Sequence, residues 1–109
     1  MRFSTTVLLV AAVSAAGCST TPQKTIQSEV ALPIATRYNC LACHSVDKRV
    51  VGPAFKDVAA RYRGQDVQKH LFSKVRSGGS GAWGALPEPP MRQIPEDDLK
   101  ILIQWITEM

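Results

Sequence analysis

Cys40-Leu41-Ala42-Cys43-His44 is the stretch from which the rest of this 109-residue chain is read. Two thiols three positions apart can each bond to a vinyl group of one flat macrocycle, and the adjacent imidazole then falls under a metal at its centre. That spacing is the attachment motif of a c-type haem. Three other readings use the same residues. A redox dithiol of the thioredoxin kind sits beside a βαβ pattern, and no such pattern is present. A zinc site needs four ligands, and beyond Cys40, Cys43 and His44 only His70 or a carboxylate remains, with no second cysteine pair. A plain structural disulfide is the third.

The length allows one domain. Residues 1–17 read as a secretory signal, with a short, singly basic opening and an apolar run over 7–16 too brief to span a bilayer. Ala15-Ala16-Gly17-Cys18 resembles the lipobox of bacterial lipoproteins, in which the cysteine is acylated and becomes the mature N-terminus. Ser19 resembles the residue that sorts such proteins to the outer membrane. Several acyl chains, at about 0.8 kcal/mol per buried methylene, would hold the protein on a membrane without a spanning helix. The expected location is therefore periplasmic and lipid-anchored, with the outer membrane favoured. Ordinary cleavage after Ser14-Ala15-Ala16 is the alternative, leaving a free thiol at Cys18. With 13 basic and 9 acidic residues the net charge is +4, and losing Arg2 with the signal leaves 12 against 9, or +3. The basic residues are scattered among acids, which argues against a nucleic-acid partner.

Residues 18–31 are polar and read as a flexible tether, so that 32–109 form the folded part. A domain that small buries little surface of its own, and an internal cofactor supplies the missing core. Pro33 suits the first turn of a helix running through Ile34, Arg37 and Tyr38 into the cysteine motif. Pro53 opens a second helix, with Phe55, Val58, Ala59 and Tyr62 on one face and Gly64 closing it. Asp66 suits the N-cap of a third, with Val67, Leu71 and Val75 near helical spacing before the Gly78-Gly79-Ser80-Gly81 run. The last starts at Pro95, carries Glu96, Asp97 and Asp98 at its positive end, and sets Leu99, Leu102, Ile103 and Ile106 in an apolar stripe. The Gly- and Pro-rich segment 77–94 reads as a long irregular loop, and a loop of that length normally has a function.

Taken together, these residues resemble the short bacterial class I cytochromes c of the cytochrome c-551 type. The resemblance covers about 35–108 and rests on Tyr38-Asn39-Cys40-Leu41-Ala42-Cys43-His44, on Val51-Gly52-Pro53-Ala54-Phe55-Lys56-Asp57-Val58-Ala59, on Gly78-Gly79-Ser80-Gly81-Ala82-Trp83-Gly84, and on Trp105. It implies an all-α fold of about four helices around one haem c, attached through Cys40 and Cys43 with His44 as iron ligand. It further implies that Pro53 offers its carbonyl to the free ring nitrogen of His44, and that Trp83 and Lys74 meet a haem propionate. The second iron ligand is expected to be a methionine on the long loop. Met91 in Pro87-Glu88-Pro89-Pro90-Met91 is the choice, because Met109 continues the last apolar stripe. The family usually reads Pro-Met-Pro-Pro there, whereas this chain has Glu88 between the prolines and Met91 three residues later. Glu88 is therefore the alternative ligand, and as a hard oxygen donor it would lower the reduction potential where a thioether would raise it. His70 reads as an ordinary helical surface residue.

The function so implied is electron transfer between redox protein partners, a donor and an acceptor, without enzymatic turnover and without a small-molecule substrate. Two alternatives differ in class. One is a haem subunit held in a stable complex with a periplasmic oxidoreductase, marked by a large apolar patch around the haem. The other is a sensor or weak peroxidase with an open distal site.

Overall fold

A computed structural model describes Gly17 and residues 23–109. The expected signal segment and the acylation site Cys18 lie outside the described residues, apart from Gly17. Four α-helices carry the described chain: α1 (Gln23–Arg37), α2 (Phe55–Arg61), α3 (Gln68–Ser77) and α4 (Glu96–Thr107), with a 3-10 turn at Cys40–Ala42.

Helix α4 is the element against which the others pack. Pro95 stands just outside it in an extended conformation (φ −54°, ψ 149°), and its carbonyl accepts from the Leu99 N–H at 3.0 Å. Glu96, Asp97 and Asp98 fill the first turn, where negative charge opposes the helix dipole. Leu99, Leu102 and Ile103 are buried as the stripe requires, and Trp105 is buried beside them. The stripe divides the core into two clusters. One joins Leu102 and Trp105 to Ala31, Ile34, Ala35 and Phe55; the other joins Leu99 and Ile103 to Ile94.

Helix α1 begins earlier than the sequence reading expects. Residues 23–31, assigned there to the tether, are helical, and Pro33 lies inside α1, where its missing N–H removes one rung. The physical reason is burial. Ala31 and Ala35 sit one turn apart, are fully buried and offer almost no side-chain bulk, so α1 can lie close against α4. The Trp105 indole N–H donates to the Ser28 hydroxyl at 3.0 Å, tying the early turns of α1 to the same ring.

The start of α3 also differs. No side-chain cap is formed, and Val67, which is buried, provides the first helical carbonyl to Leu71 N–H at 2.9 Å in place of Asp66. The loop between α3 and α4 is irregular, as its composition implies, but it is held by one two-bond bridge. Gly79 N–H donates to Glu88 O and Glu88 N–H to Gly79 O, both at 2.9 Å. No other strand-like pairing occurs among the described residues. The fold is all-α, and the 3-10 turn and this loop face one cavity.

Candidate cofactor site

The chain leaves α1 through Asn39, whose left-handed backbone (φ 57°, ψ 23°) an asparagine tolerates. The 3-10 turn that follows sends the N–H groups of both Cys43 and His44 onto the Cys40 carbonyl, at 3.2 and 2.9 Å. Cys40, Cys43 and His44 thereby line one side of a cavity of about 210 Å³. No disulfide joins the two cysteines. Burial pushes the Cys40 thiol up from its ordinary value against a lowering backbone hydrogen bond, and the Glu88 charge adds to the rise. Among the described residues no group of three or more His, Cys, Asp and Glu side chains is arranged to hold a metal ion, which disfavours the zinc reading.

Three contacts fix the imidazole. His44 Nδ1 lies 2.8 Å from Pro53 O. A carbonyl can only accept, so Nδ1 carries a proton, which in the neutral ring leaves the Nε2 lone pair for a metal. Phe55 stacks on the ring with centroids 5.3 Å apart and planes inclined by 20°. Gly52 forms the third contact. A Cβ at that position would stand 2.5 Å from His44 Cε1 and 3.0 Å from Nε2, so only glycine leaves the ring where it is.

Every site residue expected from the sequence and lying within the described residues lines this cavity: Cys40, Cys43, His44, Pro53, Lys74, Trp83, Glu88 and Met91. The Trp83 turn is held by two arginines, Arg49 and Arg61, that nothing in the sequence links to it. Arg49 donates to Trp83 O at 2.9 Å, and Arg61 donates to Ala82 O with its guanidinium 4.5 Å above the Trp83 ring. Neither had a local signal, because the pairs are 34 and 21 residues apart in sequence. His70 is exposed at the rim, its ring 6.1 Å from that of Tyr62.

Met91 and Glu88 are placed differently. The Met91 N–H donates to Val75 O at 2.9 Å and its carbonyl accepts from Arg76 at 3.2 Å, while its side chain packs against the Ile94, Leu99 and Ile103 cluster. Gln93 Nε2 lies 3.5 Å from the Met91 sulfur. Glu88 is half-buried in the cavity. Desolvation pushes its carboxyl up from the usual carboxylate range, and the charges of His44 and then Lys74 pull it back down.

The cavity fits a covalently held haem. Two cysteines not joined by a disulfide and an oriented imidazole stand together, a glycine leaves room for that ring, and apolar side chains such as Leu71, Val75 and Ile103 complete the walls. Such a site, in an all-α fold of this size, defines a single-haem c-type protein. Residues 33–109 match the sequence profile of the cytochrome c family. The chain is 49% identical over 76 residues to cytochrome c-551 of Allochromatium vinosum, covering 69% of this chain and 81% of that protein. It is 45% identical over 74 residues to cytochrome c-552 of Nitrosomonas europaea, covering 67% and 72%. The crystal structure of wild-type Nitrosomonas europaea cytochrome c552 superposes with a TM-score of 0.67 at 42% identity, covering 71% of this chain and 96% of that one. The class 1 cytochrome MtoD from Sideroxydans lithotrophicus superposes at 0.64 with 30% identity, covering 73% and 92%. The chain belongs to the cytochrome c family and binds one haem c through Cys40 and Cys43.

Proposed function

We propose that this protein is a periplasmic one-electron carrier, anchored to a membrane by lipid at Cys18, passing electrons between a redox protein donor and acceptor. The observation that supports it most is the way His44 is clamped between Pro53 O, Gly52 and Phe55. When bound, the haem supplies a one-electron ferric/ferrous couple. The protein's part is to keep the surroundings of that couple unchanged in both states. Pro53 fixes the tautomer and orientation of the imidazole, and Gly52 and Phe55 prevent the ring from tilting. The two apolar clusters along α4 exclude water from the walls, while Arg49 and Arg61 hold the Trp83 turn in place. Little atomic movement then accompanies each transfer. Among the described residues no helix is long and apolar enough to cross a membrane.

The test is voltammetry and cell fractionation of the mature holoprotein. A reversible one-electron wave, with acylated Cys18 recovered in the membrane fraction, is the expected result. An irreversible wave or turnover of peroxide would refute the carrier reading, and a soluble, unmodified Cys18 would refute the anchor. One observation favours a second reading, a haem subunit of a larger oxidoreductase: Val51 and Leu86, both lining the cavity, are 46% and 66% exposed. Stoichiometric co-purification of a large subunit would establish that reading.

A further inference from the structure

The geometry points to the Glu88 carboxylate, and not the Met91 thioether, as the side chain this protein presents to the distal face of the haem iron, with Lys74 as its counter-charge and Met91 as a packing anchor of the loop. This inference rests on the attached haem of the carrier reading, and on nothing concerning partners or membranes.

The first support is backbone register. Glu88 is fixed by both hydrogen bonds of the Gly79 bridge, at 2.9 Å each, and lies between Pro87 and Pro89, whose rings lock their own φ angles. The facing strand segment is equally constrained. A Cβ on Gly78 would stand 2.4 Å from Glu88 O, so the two segments lie in close backbone contact and the side chain at 88 has a set direction. That direction puts it in the cavity shared with His44.

The second support is charge. A carboxylate half-buried among apolar side chains is costly unless a cation meets it. Lys74 supplies part of that compensation: it lines the same cavity, acts on Glu88 through its charge, and has its Nζ 3.1 Å from the position of a Cβ on Gly79, the bridge partner of Glu88. A metal cation held by His44 would supply more. Glu88 lines the same cavity as Cys40, Cys43 and His44, and its charge acts on the Cys40 thiol, so the carboxylate stands close to the motif that holds the haem.

The third support is that Met91 is already engaged. Its backbone is tied at both ends, to Val75 and to Arg76, its side chain belongs to the Ile94, Leu99 and Ile103 cluster, and Gln93 Nε2 approaches its sulfur. Met91 lines the cavity from that apolar cluster, and Glu88 lines it as a half-buried charged group held by the Gly79 bridge.

A hard, anionic oxygen donor favours the ferric state and a soft thioether the ferrous one. The potential of this protein should therefore lie below that of a Glu88→Met variant. The test uses the mature holoprotein and three variants, Glu88→Gln, Glu88→Met and Met91→Leu, each first shown by its alkaline pyridine spectrum to carry haem c. The readouts are the oxidised absorption and EPR spectra and the midpoint potential. Expected are a wild type without the weak red sulfur-to-iron charge-transfer band, a shift toward high spin in Glu88→Gln, and no change in Met91→Leu. The sulfur band and a raised potential should appear in Glu88→Met. A sulfur band in the wild type that disappears in Met91→Leu would overturn the assignment, as would identical wild-type and Glu88→Gln spectra, which would mean an iron open on that side. Should Glu88→Met not assemble, the other two variants decide the question. A colourless wild type would instead defeat the haem reading itself, and a normal haem spectrum with an irreversible wave would defeat only the carrier reading.

Discussion

Gly52→Ala perturbs the site through one atom. Ordinary van der Waals contact begins near 3.4 Å, and the new Cβ would lie 2.5 Å from His44 Cε1, so about 0.9 Å (3.4 minus 2.5) of movement is required. The backbone yields little, because the Gly52 N–H is tied to Cys43 O at 2.7 Å and the Val51 N–H to the same oxygen at 3.1 Å. The imidazole must yield, and moving it by that amount stretches the 2.8 Å contact to Pro53 O beyond hydrogen-bond range. Gly52 does not have a left-handed φ, so the penalty is contact alone. A lost hydrogen bond costs about 1 kcal/mol and overpacking about 1–3 kcal/mol, which together give roughly 2–4 kcal/mol. Denaturant unfolding of the holoprotein, followed at the haem absorption, would measure that loss. The reduction potential, which depends on how strongly the imidazole is held, should shift as well. A Gly52→Ala protein with unchanged midpoint, spectrum and potential would refute the reasoning.

Trp105→Phe removes the indole donor to Ser28 and should cost about 1–2 kcal/mol by thermal unfolding, with α1 loosening first in hydrogen exchange. Gly78→Ala faces both a φ of +69° and a 2.4 Å approach to Glu88 O; it should lower the Tm by at least about 4–8 °C, and an unaltered Tm would contradict the close packing of the loop. Lys100 holds the Glu96 carboxyl below its usual 4.5, through a hydrogen bond and through its charge. A depressed carboxyl stabilises the fold above its unfolded value and loses that contribution as the pH falls through the folded one. Wild type and Glu96→Gln should therefore differ by a constant amount at neutral pH and converge below about pH 4.5, as followed by pH-dependent denaturation. Lys100 is raised above 10.5 by the same pair, so the two proteins should converge again above that pH.

The clearest parts of the fold in the sequence were those that short-range patterns encode. The stripe of Leu99, Leu102 and Ile103, with acids at the start of α4, specifies a helix and its buried face from spacing alone, and Cys40, Cys43 and His44 specify a cofactor through covalent chemistry. Helix α1 was partly hidden. Its polar first turns resemble a linker and Pro33 resembles a helix start, while the signal that contradicts both, Ala31, Ile34 and Ala35 at helical spacing, is short and two of its three residues are alanines. The cradle at Gly52 and the arginines around Trp83 had no sequence signal, because each depends on segments brought together by the fold. On the distal side, residue chemistry favoured Met91 because sulfur suits haem iron. Both Met91 and Glu88 line the cavity, and the register of Gly79 with Glu88 that holds the second there is something composition does not reveal.

The covalent attachment is tested most directly by digesting the mature, acid-denatured protein with trypsin and weighing the fragment that runs from Tyr38 to Lys48. The expected result is a fragment carrying the added mass of one haem and no free thiol. The same fragment at its unmodified mass, with both sulfurs open to alkylation, would contradict it.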